Sequence, residues 1–127
     1  MRFRTGIVVA LGATLLAPVA VAVTSTSASA VSCPQIPSNN PTGPVKTLAS
    51  TVTGRVNIRS GPSTSCAAVS YAYPGDGLVF ICYARTTYQG ETWTFLYNTA
   101  RGGGGSYDAG WIRDDLLQGL GSWTTCA

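Results

Sequence analysis

Asp114 and Asp115 are the one pair of carboxylates that this chain sets side by side, and with no histidine in 127 residues they are its only material for joint acid and base work. Neighbours on a strand project to opposite faces, so the pair is poorly placed to share a proton. Both read as solvated charges at the end of a strand. A serine or cysteine nucleophile would lack the imidazole that ordinarily activates it. Cys33, Cys66, Cys82 and Cys126 include no C-x-x-C spacing, which argues against a metal site. The glycine run at 102 to 105 lacks the lysine and helix that a phosphate-binding loop needs after it. The expected protein is therefore not an enzyme and carries no cofactor.

Recognition is better provided for. Tyr73, Trp93, Tyr97, Tyr107 and Trp111 join apolar rings to polar tips, the combination that peptide and sugar binding uses. Asn57 and Arg59 are two residues apart in a run that alternates with Val56 and Ile58, so both fall on the polar side of one strand. The expected site is a shallow groove lined by some of the five aromatics, with Asn57 and Arg59 at its edge.

The elements that must hold this groove are short. Alternation and turn signals predict strands at about Ser50 to Arg59, Cys66 to Tyr73, Leu78 to Thr87, Thr92 to Thr99 and Gly110 to Arg113. Ser60-Gly61-Pro62-Ser63 stops the first of them. Glycine frees the backbone there, proline removes a donor, and the serines can bond their own main chain. Pro74-Gly75-Asp76-Gly77 and Gln89-Gly90-Glu91 suit hairpins, and Arg101 to Gly110 reads as a longer, glycine-rich loop. In LVFICYARTT, Leu78, Phe80, Cys82 and Ala84 share one face, and Val79, Ile81 and Tyr83 the other. A strand apolar on both faces belongs in the middle of a sheet. Asp114 to Leu117 has room for only a single 3₁₀ turn. The fold class is all-β, a small barrel or sandwich of about five short strands.

Two segments resemble the bacterial SH3-like (SH3b) domain family: VNIRSGPSTS, residues 56 to 65, and GWIRDDLL, residues 110 to 117. Members carry an N-[VI]-R-S-G-P-S run near the start of a small barrel and a G-W-[VI] strand near its end. The resemblance covers residues 51 to 117. It implies an SH3-like barrel in which Trp111 helps to close the structure and Arg59 supports the R-S-G-P turn. The function it implies is that of a secreted, non-catalytic binding module for cell-wall peptidoglycan peptides or other peptides. Two departures stand out: Cys66 replaces an aromatic usual in the family, and the glycine run lengthens the segment before GWI. A rival reading is a secreted inhibitor or effector that acts on a partner protein through an exposed loop.

Residues 1 to 30 read as a secretory signal. Arg2 and Arg4 precede an uncharged stretch, Gly6 to Val23, and Ala28-Ser29-Ala30 is the expected cleavage site, with Ala20-Val21-Ala22 as its rival. Most of the net charge of +3 leaves with Arg2 and Arg4, which weakens any case for nucleic acid or an anionic membrane as partner. The mature chain is expected to be an extracellular monomer able to associate with the cell wall. Residues 31 to 50 read as an extended arm outside the core, and 118 to 127 as a C-terminal tail. A domain this small buries only about 60 to 65 per cent of its unfolded surface, so disulfides are expected. Of three possible pairings, Cys66 with Cys82 and Cys33 with Cys126 are expected, the first joining adjacent strands and the second tying the two tails.

Overall fold

A computed structural model describes residues 12, 18, 32–86, 90–102 and 107–127. The expected signal segment apart from residues 12 and 18, and parts of the loops around Tyr88 and the glycine run, lie outside the described residues. Six antiparallel strands form one sheet: β1 (Val45–Lys46), β2 (Val56–Arg59), β3 (Ala68–Ala72), β4 (Leu78–Arg85), β5 (Thr92–Asn98) and β6 (Asp108–Arg113). Their order is β1-β4-β5-β6-β2-β3, with β1 and β3 at the two edges and no pairing that closes the sheet. Two single 3₁₀ turns follow, Asp114–Leu116 and Gln118–Leu120.

The sheet is apolar on both faces. Ile58, Ala72, Leu78, Phe80, Leu96 and Ile112 form the core on one face, joined by Leu48 and Leu117. Ile81, Cys82, Trp93, Phe95 and Trp111 form a second cluster on the opposite face, and Cys126 packs against it. The two clusters account for why β4 and β5 carry so few polar side chains. A register shift between Phe80 and Cys82 separates them: Phe80 pairs with Leu96, while Cys82 pairs with Phe95. Strict alternation placed Cys82 and Ala84 beside Phe80, and this bulge moves both to the other face.

The arm and the tail cover the second face. Gln35 N–H donates to Ser60 O at 2.9 Å, and the buried Trp111 indole N–H donates to Gln35 O at 2.7 Å. Farther along, β1 pairs with β4, and Leu48, only 4% exposed, enters the core. The expectation that residues 31 to 50 stay outside the core is thereby corrected: a buried leucine and a paired strand outweigh the proline-rich composition around them. At the other end Tyr83 N–H donates to Thr124 O at 2.7 Å and Cys126 N–H to Tyr83 O at 2.9 Å.

The disulfides follow from this layout. Cys33 bonds Cys66 and Cys82 bonds Cys126, so the expected pairing of Cys66 with Cys82 and Cys33 with Cys126 is overturned. Once the bulge turns Cys82 onto the covered face, its neighbour is the tail. Cys66, at the far end of the signature turn, meets the arm instead. Two disulfides are consistent with an oxidising, extracellular setting. Among the described residues no helix is long and apolar enough to cross a membrane.

Gly61 is needed for space. It is buried and lies outside the left-handed region, and a β-carbon there would come within 2.6 Å of Cys66 Sγ and 2.9 Å of Ser32 O. Gly61→Val is expected to destabilise by about 1 to 3 kcal/mol through overpacking under the first disulfide. Thermal melting checks this, and an unchanged midpoint would contradict the close approach.

Candidate functional site

Arg55, Asn57 and Arg59 alternate along β2 and the residue before it, so their side chains emerge on one face. Asn57 is exposed and Arg59 half-buried, with Ile58 between them fully buried on the opposite side. Arg59 pairs across the sheet with Trp111, and Trp93 with Arg113, which brings the ends of β5 and β6 toward the same face. The result is a hollow of about 300 Å³ whose lining includes Arg55, Asn57, Arg59, Thr64, Trp93 and Arg113.

Its charges are unequally committed. Arg59 Nη1 donates to Thr64 O at 3.1 Å and to Cys66 O at 3.0 Å, so part of the guanidinium fork holds the signature turn. Arg113 is taken up by acids, donating to both oxygens of Asp115 at 2.6 and 3.0 Å and lying 3.8 Å from Glu91. The hydrogen bond to Asp115 is the main reason its guanidinium is held even more basic than usual. Arg55 has no carboxylate partner among the described residues and rests over the Tyr71 ring, 5.2 Å from its centroid. Trp93 forms a wall. It is 3% exposed, and its buried indole N–H has no hydrogen-bond partner among the described residues. The functional groups of the hollow are mostly donors, and the residues lining it include no carboxylate. Such a surface suits the carboxylates and carbonyls of a peptide.

The other expected site residues lie elsewhere. Trp111 is fully buried against Phe95, their ring centroids 5.4 Å apart, and belongs to the core. Its expected place in the groove is corrected: the indole is sealed under Gln35. Tyr97 is half-buried at the edge of the same cluster, its ring 5.7 Å from Phe95. Tyr107 is 56% exposed beside the glycine-rich loop, away from the hollow's lining. Tyr73, outside the hollow's lining, is exposed in a cluster with Tyr71, the ring under Arg55, and Arg101, whose guanidinium lies 4.4 Å from the Tyr71 centroid and 5.1 Å from that of Tyr73. Asp76 anchors this cluster, accepting from Tyr73 N–H at 3.0 Å and from the Asn98 amide at 3.1 Å. Burial alone would raise the Asp76 carboxyl, but those bonds and the Arg101 charge outweigh it and hold it below the ordinary carboxylate value.

The acid pair is divided. Asp115 is exposed and bound to Arg113, whereas Asp114 is 6% exposed, so the expectation that both are solvated is corrected for Asp114. Its Oδ1 accepts from Thr94 Oγ1 at 2.7 Å, and Thr94 Oγ1 accepts in turn from Ser122 N–H at 2.7 Å. Burial raises the Asp114 carboxyl, with hydrogen bonds from Thr94 and Thr92 pulling the other way. Sequence reading missed Arg55 and Arg113 in the hollow, and the role of Asp114. Arg55 was legible in principle, two positions before Asn57 on the same alternation. Asp114 was not, because the segment that buries it is remote in sequence. Comparisons with protein-family models, with curated proteins and with solved structures yield no match to this chain.

Proposed function

We propose that this is a secreted, non-catalytic binding module of the SH3b kind, and that its ligand is a carboxylate-bearing peptide such as the peptide stems of cell-wall peptidoglycan. One observation carries this reading: Asn57, Arg59 and Trp93, three residues expected at the site from sequence, line one hollow together with Arg55, a guanidinium without an acidic partner among the described residues. A peptide carboxylate would meet Arg55 and the free donors of Arg59. The Asn57 amide would pair with a peptide carbonyl, and the wall at Trp93 would exclude water on one side. Open barrel-like sheets offer such shallow grooves readily. Recognition is the role this reading gives the groove, whose described lining offers donors.

The test is retention of the purified mature chain on insoluble peptidoglycan. Binding is expected to weaken about tenfold or more in Arg55→Ala, because a charge-assisted hydrogen bond is lost. Tyr107→Ala, outside the hollow, should bind as the parent does. Retention unaffected by Arg55→Ala and Asn57→Ala would remove the groove from the account. No retention of the parent, with capture of a protein instead, would favour an inhibitor or effector.

A further inference from the structure

A second hollow of about 300 Å³ lies on the tail side of β4, and its lining includes Tyr83, Arg85, Asp114, Leu120, Ser122 and Trp123. Asp114 and Ser122 are its most buried members, at 6% and 9% exposure, and make its floor. The floor carboxylate accepts from Thr94, and no described cation forms an ion pair with it. Arg85, the nearest candidate by lining, directs a donor to Gly90 O at 3.4 Å instead. The walls are apolar and held outward: Trp123 is 84% exposed and Leu120 is 70% exposed.

The Trp123 side chain is tethered, and the backbone at Leu120 takes an unusual conformation. The Trp123 indole N–H donates to Gly119 O at 3.2 Å. Leu120 is in the left-handed region at φ 61, a conformation that costs a residue with a β-carbon about 1 to 2 kcal/mol, and its exposed side chain recovers little of that by packing. Gly121 cannot carry a side chain, because its β-carbon would fall 2.4 Å from both Asp114 Oδ1 and Thr94 Oγ1. The chain is thus pressed against the carboxylate while two apolar side chains stand over it. Apolar walls around a negative floor that hydrogen bonds hold, and that no described ion pair neutralises, are an arrangement that binds an organic cation, with the indole attracting the charge and the alkyl portion lying on Leu120.

We propose that the hollow formed by Tyr83, Asp114, Leu120 and Trp123 binds an alkylammonium group such as a lysine side chain, with Asp114 as counter-charge. It is separate from the donor-rich groove beside Arg55, and the two take groups of opposite charge.

The test titrates the mature protein with n-butylammonium chloride at pH 8, with sodium butyrate as the control. Trp93 and Trp111 are 3% and 0% exposed, so a change in tryptophan fluorescence on titration chiefly reports Trp123, and amide chemical shifts provide a second readout. A saturable response to butylammonium and none to butyrate is expected. Asp114→Asn should weaken binding about tenfold or more, and Arg85→Gln, which removes a like charge from the lining, should tighten it about twofold. If Asp114→Asn does not fold, Arg85→Gln and Trp123→Leu, read by chemical shift, decide the matter, the latter weakening binding by loss of the aromatic face. No saturable response in the parent, equal response to butyrate, undiminished binding by folded Asp114→Asn, or weaker binding by Arg85→Gln would each overturn the proposal.

Discussion

Trp111→Ala is expected to cost about 3 to 5 kcal/mol, the range for removing a large aromatic from a packed interior. The indole is fully buried, packs against Phe95 at 5.4 Å and donates to Gln35 O at 2.7 Å. Its loss opens a cavity on the covered face and leaves the Gln35 carbonyl without its donor. In a domain of this size about 1 kcal/mol moves the melting midpoint by roughly 4 to 8 °C, so a fall of about 12 °C or more should be seen. Tyr107→Ala, at a residue 56% exposed, should change stability by no more than about 0.5 kcal/mol. A drop of only a few degrees in Trp111→Ala would mean that the arm does not seal this face.

Removing the disulfide between Cys82 and Cys126 should be comparably severe. The bond spans 44 residues, and on chain-entropy grounds closing a loop of that length restricts the unfolded state by about 4 kcal/mol. Cys82 is fully buried, so replacing both cysteines by alanine also thins the cluster around Trp111. The tail's backbone bonds to Tyr83 remain and should keep it near β4. Chemical denaturation of the double variant gives the loss, and peptide mapping without reduction should join the Cys82 peptide to the Cys126 peptide. A linkage of Cys66 to Cys82 would return to the pairing inferred from strand adjacency and would place the arm and tail elsewhere.

Much of the sheet was legible because its information is local. Val56 and Ile58 alternate with Asn57 and Arg59, the S-G-P-S turn ends that strand for reasons contained in four residues, and the two-sided apolar pattern of β4 placed it inside the sheet. Asp114 to Leu116 had room for one 3₁₀ turn and forms one. Asn57, Arg59 and Trp93, singled out by residue type, line the same hollow.

What the local pattern left undecided depends on neighbours remote in sequence. Composition marked residues 31 to 50 as an arm, yet Gln35 meets Trp111 and Leu48 meets Leu117, contacts that no window of sequence contains. Asp114 looked like a solvated charge until the chain from Gly121 to Ser122 packed beside it and Thr94. Cys82 is the clearest case. Period-two alternation assigns it to the face of Phe80, and one extra residue at the bulge reverses the assignment for everything after it, carrying Cys82 and Ala84 to the face of Trp93 and Trp111. Residue types and turns were written in the chain, but the face each side chain occupies, and therefore which cysteines and which charges meet, was decided by pairing between strands.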